Sequence, residues 1–436
     1  MKFKLIRYIL PSVVSMVLVG AYTNIDGLFI GNVSVSGVEN NDVFLNAINF
    51  VWPIVAFITS LGTGIGVGGS VIVGSLRGEG RFDEAEKAKR TSLYLLVIAG
   101  VLSSVVFGVW YKPLLSVMGA EGDVLTYAGH YALVVSLGSL FQVLGSGLVM
   151  LLRCEGKTVR AMLYTTAGLF VHVLLNFLLV NSLVMYGVAL SSVAAQAVIT
   201  LLSFISFRVR GKAAFSFAFA GEIMRSACAP FGVNFVSSAV LLFTNYFATA
   251  VGGVAAVSAY TVMSYVVYTY DYVFQGVCDG VQPVVSYCVG AGDEPQIRRT
   301  VRAEVLLLAV LSAAFSLLTP LMIFLLPKIF AISAEAAEMM RSGMVVYAFS
   351  YPLKACVKFM CSYCYSHKKV WVANLLTYAD PLLFSPLLLA LLPQIWGADG
   401  LWLSLTLSQA AIVLLGGVLF FAMRVAKKRR LRKNSV

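Results

Sequence analysis

Long apolar runs, separated by short charged or glycine-rich turns, follow one another down the whole chain. They cover about 5–31, 43–74, 91–115, 125–152, 161–184, 187–208, 224–250, 256–290, 304–326, 340–365, 370–394 and 398–425. Each reaches or exceeds the roughly 20 residues that cross the hydrocarbon of a bilayer. Barrel strands would alternate apolar and polar positions instead of running unbroken. The pattern therefore predicts an all-α membrane protein with twelve transmembrane helices. Several runs exceed one crossing, which predicts tilts or kinks. The longest polar stretch, about 208–223, is too short to hold a soluble core.

The pattern is written twice. Gly78-Glu79-Gly80 recurs as Gly290-Ala291-Gly292, Glu121 and Gly129 as Glu335 and Gly343, and Gly187, Ser191 and Gln196 as Gly400, Ser404 and Gln409. Pro11, Asn24 and Gly31 match Pro230, Asn245 and Gly252 at slightly larger spacing, so one loop has changed length. A repeat this long fits a duplicated bundle, a common plan of secondary transporters, whose working site lies where the halves meet. It predicts two pseudo-symmetric lobes of six helices, 1–212 and 213–436, the second ending in a basic tail.

Composition agrees: 59% of the residues are apolar and only 12% charged, about half the charge of a soluble domain. The net charge of +12 is placed by topology and does not point to nucleic acid. Of 32 Lys and Arg, 27 fall in segments that twelve crossings put on one side. The positive-inside bias then places both termini in the cytoplasm, in a multi-pass protein of the cell inner membrane. The tail Lys427-Lys428-Arg429-Arg430 reads as an anchor touching anionic lipid. The basic, apolar start resembles a signal peptide, but no small-residue cleavage site follows, and the counterpart at Pro230 makes this helix part of the fold. The seven cysteines read as small apolar residues, with Cys361 and Cys364 the one closely spaced pair to weigh for redox or zinc chemistry.

Ionisable residues inside the bilayer cost roughly 2.5–3.5 kcal/mol on insertion scales and mark candidate sites. Asp26 stands in the outer half of the first helix, close to Asn24, Gly27 and Gly31. A carboxylate held there binds a proton or a sodium ion, unless it is simply a helix-end aspartate at the headgroups. In the second half Asp271, Lys354 and Asp380 fall at one depth near the midplane, and Lys358 follows Lys354 by one turn. Four charges at one level pair as structural ion pairs, Lys354 with Asp271 among them, or line a wet cavity that binds substrate or coupling ion.

Glycines crowd the second helix at Gly62, Gly64, Gly66, Gly68 and Gly69, which favours close helix packing. No Gly-Lys-Ser/Thr follows them, so this is no phosphate loop and nothing here hydrolyses ATP. No cofactor is expected beyond the coupling ion, and transport would draw on an ion gradient. Pro53, Pro283, Pro352, Pro381 and Pro386 are candidate kinks. Tyr246, Tyr260, Tyr265, Tyr268, Tyr270 and Tyr272 are core or lipid-facing filler, or, on a cavity wall, suit flat cationic compounds through cation–π contact.

These features together resemble the multidrug and toxic compound extrusion (MATE) transporters over nearly the whole chain. The resemblance is carried by Pro11, the Asp26-Gly27-x-Phe29-x-Gly31 run, the glycine-rich second helix leading into Gly78-Glu79-Gly80, Glu155-Gly156-Lys157, and Gly280-Val281-Gln282-Pro283 leading into Gly290-Ala291-Gly292. It implies two six-helix lobes around a V-shaped central cavity, exporting small amphipathic compounds, cationic ones foremost, against protons or sodium. It also implies that Asp26 is the coupling carboxylate, with partners on helices 5 and 6. There the chain departs from the family: His172-Val173-Leu174-Leu175-Asn176 replaces the usual Asn-x-x-x-Asp, and Ser192 stands for a usual Thr. One carboxylate fewer and one imidazole more favours protons over sodium, or coupling has moved to Asp271, Lys354 and Asp380. One chain holds both halves, so a monomer suffices.

The related lipid-linked oligosaccharide flippases are the alternative, with Lys354 and Lys358 as footing, although those proteins often have more than twelve helices. A major facilitator transporter would carry an Asp-Arg core where this chain reads Arg77-Gly78-Glu79-Gly80-Arg81. A membrane-embedded enzyme would need a catalytic constellation that three histidines without metal-ligand spacing do not supply.

Overall fold

The computed structural model describes residues 4–31, 33, 42–208, 215–330 and 332–433. Among them there is helix and no strand. Inside a bilayer only a helix satisfies every backbone N–H and C=O within one segment, which is why unbroken apolar runs fold this way. The helices are α1 (Ile6–Gly31), α2 (Asp42–Gly78), α3 (Phe82–Val117), α4 (Gly122–Leu137 and Ser139–Cys154, bent by 56° at Gly138), α5 (Thr158–Leu183) and α6 (Met185–Ser206). The stretch Phe217–Ala291 breaks at Gly252 and Gly253 into α7 (217–251) and α8 (254–291). Then come α9 (Glu294–Ile329), α10 (Ala334–Ser366), α11 (370–396) and α12 (398–433), the last two parted at Gly397.

Among the described residues nine helical stretches are long and apolar enough to cross a membrane, ten with the bent α4 counted as one. Val370–Val425 is one of the nine, and its break at Gly397 makes it two helices. With α8, made more polar by Asp271, Gln275, Asp279 and Gln282, the described helices number twelve.

The duplication is visible in the backbone. Left-handed Gly80 between α2 and α3 (φ 78°) recurs as Gly292 between α8 and α9 (φ 67°), and Gly156 after α4 (φ 75°) as Lys368 after α10 (φ 56°). Val184 between α5 and α6 (φ 47°, ψ −117°) recurs as Gly397 (φ 57°, ψ −133°). The closing hydrogen bonds repeat too, Arg81 N to Leu76 O and Asp293 N to Cys288 O at 2.9 and 3.0 Å. These six-to-one bonds mark Schellman helix ends.

Two compact units are present: Met1–Ser238 with Gln275–Thr300 and Ser366–Lys368, and Ala239–Phe274 with Val301–Tyr365 and Lys369–Val436. These differ from the halves 1–212 and 213–436, because parts of α7, α8 and α9 pack in the first unit. The glycines of α2 explain it. A Cβ at Gly66 would stand 2.6 Å from the Gly147 carbonyl of α4, one at Gly64 would meet Phe231 and Ala227 of α7, and one at Gly78 would collide with the Tyr287 carbonyl of α8. Bare backbone lets α4, α7 and α8 approach α2 closely. Within this unit α1 packs on α5, and α5 on α6.

Candidate functional site

The first unit holds a buried carboxylate built from four helices. Asp26 of α1 is 4% exposed. Its Oδ1 accepts from Asn176 Nδ2 of α5 at 3.0 Å and lies 2.9 Å from His172 Nε2, also of α5. Its Oδ2 accepts from Tyr131 OH of α4 at 3.2 Å and from Ser192 Oγ of α6 at 3.3 Å. His172 and Asn176 are both fully buried, one turn apart on the same face of α5.

The local sequence accounts for this convergence. The turn at Val184 is tight, with Val184 N bonded to Val180 O at 2.8 Å, and a Cβ at Gly187 would meet the Leu179 carbonyl at 2.6 Å. That close α5–α6 hairpin brings Ser191 Oγ to 2.8 Å from Asn176 Oδ1. The Asp26 carboxylate only accepts, which turns the amide N–H2 toward it and leaves Oδ1 facing Ser191, whose hydroxyl also has the Val188 carbonyl at 2.7 Å. Tyr22, one turn before Asp26, lies against the imidazole with ring centroids 4.8 Å apart.

A carboxylate has about four acceptor positions, and all of them meet a donor here. His172 Nδ1 has no hydrogen-bond partner. The economical arrangement is therefore the Nε2–H tautomer donating to Asp26, with the bare Nδ1 lone pair left over, since an orphaned N–H costs more than an orphaned acceptor.

Of the residues expected from sequence, Asp26, His172, Asn176 and Ser192 come together. Asn24 lies on the same helix, and its side chain is outside the described residues. Tyr131, Ser191 and Tyr22 were missed. The i, i+4 spacing of Tyr22 and Asp26 could have pointed to Tyr22, but nothing in the sequence singles out Tyr131 on a separate helix.

The second unit arranges its charges otherwise. Lys358 Nζ of α10 pairs with Asp271 Oδ2 of α8 at 2.9 Å. The expected Lys354–Asp271 pair is not formed: Asp271 stands level with Lys358, one turn further along α10. Lys354 is half-buried and forms no ion pair with a described acidic side chain. Asp380 pairs with neither lysine. Its Oδ1 accepts from Ser385 Oγ at 2.6 Å and its Oδ2 from Gln409 Nε2 at 2.7 Å. Asp380 opens a π-helical turn, Asp380–Phe384, in α11, next to Pro381, and such turns recur at functional positions. The tyrosines mostly pack: Tyr270 stacks on Phe315 at 3.8 Å, Tyr260 on Trp402 at 6.2 Å and Tyr265 on Phe330 at 5.5 Å.

The sequence signature of MatE matches residues 11–178 and again 231–378, once in each half. The chain belongs to the MatE family. It is 22% identical over 292 residues to the multidrug export protein MepA of Staphylococcus saprophyticus, an alignment that covers 65% of this chain and 64% of that protein. The chain thus spans a little under two thirds of that relative's length. The fold is that of an outward-facing multidrug resistance MATE transporter of the MOP superfamily, with TM-score 0.87 at 19% identity over 98% of this chain and 96% of that one. The MATE multidrug transporter DinF-BH also superposes with TM-score 0.87, at 21% identity over 97% and 96% of the two chains. This is a multi-pass helical membrane protein of a transporter family.

Proposed function

We propose that this MatE protein is a secondary exporter of small amphipathic compounds, driven by inward proton flow through the Asp26–His172 pair. The observation that carries this reading is the donor shell of Asp26. Tyr131, Asn176, Ser192 and the imidazole all present hydrogens to the carboxylate. A sodium site needs converging oxygen lone pairs, whereas a shell of donors suits a carboxylate that alternates between charged and protonated.

Hydrogen bonds to a charged acceptor are roughly twice as strong as neutral ones. Deprotonated Asp26 therefore ties α1 firmly to α4, α5 and α6, and protonation loosens those ties. A proton thereby acts as a ligand that shifts the balance between two arrangements of α1, and only its different affinity for the two does the work. Both termini are taken as cytoplasmic from the one-sided Lys and Arg distribution, and one chain suffices for the pair. The flippase reading is not favoured, since the relatives are multidrug exporters.

Proteoliposomes test this. A pH gradient drives accumulation of ethidium by the wild type, a sodium gradient does not, and Asp26→Asn abolishes the pH-driven component. Accumulation that follows sodium and ignores pH would overturn the proton assignment.

A further inference from the structure

Helices of the two sequence halves cross inside the first unit, and they cross symmetrically. Ser70 of α2 donates to Gln282 Oε1 of α8 at 3.0 Å, and the two residues are 212 positions apart, the period of the duplication. A Cβ at Gly74 would stand 3.3 Å from the Cβ of Ser286, its own counterpart in the repeat. Further along, Gly78 faces the Tyr287 carbonyl and Gly290 faces the Ser75 carbonyl, one contact made twice with the halves exchanged. The neighbouring helices follow suit: a Cβ at Gly64 of α2 would meet Phe231 of α7 at 2.9 Å, and one at Gly276 of α8 would meet Val13 of α1 at 2.6 Å. A pseudo-twofold axis thus runs between α2 and α8, on the side that the Lys and Arg distribution makes cytoplasmic.

These contacts between α2 and α8 are made by bare backbone at glycine and by the side chains of Ser70, Gln282 and Ser286, with Gln282 Nε2 donating to Ser286 Oγ at 3.0 Å. Beside them lies a charge pair that the Asp26 cluster does not use. Arg153 of α4 and Asp279 of α8, with side chains 2% and 3% exposed, approach to 3.5 Å. Asp279 Oδ1 also accepts from Gln275 Nε2 at 2.8 Å. The guanidinium is sparsely bonded for a group with several donors: Nη1 is shared between Asp279 and Met150 Sδ, and Nε has no hydrogen-bond partner. Such a pair adds little to fold stability, because desolvation offsets its attraction. Parting the helices would hydrate both charges together with the hydroxyls and amide of the crossing, so water replaces most of what is lost. That near balance suits a contact made and broken repeatedly.

We propose that the α2–α8 crossing is the cytoplasmic gate between the two halves and that Arg153–Asp279 is its latch, made while the gate is shut and broken when it opens. This rests on the exporter reading above and names the contact that parts to admit compounds from the cytoplasm. With Asp279 made neutral, the shut gate buries Arg153 without a counter-charge while the open gate hydrates it, so the balance moves toward open.

The test uses the full-length protein with its seven cysteines replaced by alanine, since Cys154 Sγ, 3.6 Å from a Cβ at Gly74, would otherwise compete. In inside-out vesicles, the thiol introduced by Ser286→Cys is labelled with a membrane-impermeant maleimide. Labelling should be slow, and Asp279→Asn should speed it about tenfold, about 1.4 kcal/mol, while Arg153→Lys, which keeps the pair, leaves it slow. Oxidation of the double variant Gly74→Cys/Ser286→Cys, whose β-carbons lie close to disulfide spacing, should stop ethidium accumulation. Recovery on adding dithiothreitol shows that the variant is folded. Labelling that Asp279→Asn leaves unchanged, or a cross-link that fails to form or leaves transport running, would each overturn the proposal. A thiol that labels as expected in vesicles where no ion gradient moves ethidium would strike the exporter reading and spare the gate.

Discussion

Asp26 and Asp271 are both buried carboxylates inside membrane helices, yet they are stabilised in opposite ways. Asp26 is held by hydroxyls, an amide and an imidazole, and Asp271 by the ammonium of Lys358. A proton added to the first strands no fixed cation, because its partners are two hydroxyls, an amide and an imidazole. A proton added to Asp271 leaves Lys358 charged and alone in low dielectric. The comparison teaches that burial alone does not make a carboxylate a coupling site. What matters is whether its partners tolerate both protonation states.

The largest effect expected from this contrast is on stability. Lys358→Met should cost roughly 3–5 kcal/mol, because it strands Asp271, and Asp271→Asn should cost a similar amount. The double variant should recover most of the loss in a thermal-melt cycle, and additive penalties would remove the pair from the account. Asp26→Asn should change stability by about 1 kcal/mol while stopping proton-driven transport.

Next in size is His172→Gln, which keeps a hydrogen bond to Asp26 but cannot titrate. The pH-driven rate at neutral pH should fall about tenfold, about 1.4 kcal/mol, with compound binding unchanged. An unchanged rate would assign the proton to Asp26 alone.

A smaller effect sharpens the comparison of the halves at their matching turns. Val184 holds φ 47°, a strained position for a β-branched residue, where the second half has Gly397 at φ 57°. Val184→Gly should stabilise by about 1 kcal/mol, read as a higher melting temperature, and Gly397→Val should do the reverse.

The smallest concerns Glu155, whose repeat position is His367. Burial opposes its charge, but hydrogen bonds from Lys157 and Lys89, reinforced by their charges, hold its carboxyl below the usual carboxylate range. A depressed folded-state value contributes stability that is complete above the unfolded value and is lost as pH falls through the folded one. Acid titration of the melting temperature should show that loss at the acid end, and Glu155→Gln should flatten it.

Much of the site was legible in the chain. Asp26 stood out as a charge inside an apolar run, and His172 and Asn176 were marked only where they replace the Asn-x-x-x-Asp of the family that the chain resembles. Ser192 too was marked through the family resemblance, while its neighbour Ser191, which faces the Asn176 amide oxygen, figured only as a repeat landmark. Tyr131 was invisible, since an aromatic hydroxyl in an apolar helix carries no sign of its partner. The choice of Lys358 over Lys354 turns on one helical turn of relative height between α8 and α10, which depth counted from helix ends does not resolve.

The sequence by itself determined the solvent, the helix count and the duplication, because apolar run length, charge placement and turn glycines act locally along the chain. Only the tertiary structure decided which carboxylate is held by neutral donors and which by a lysine, and that the ends of α7 and α8 pack onto α2. Those outcomes depend on the rotation and height of each helix against its neighbours, which side-chain packing and backbone approach at glycine fix together, and no single segment encodes them.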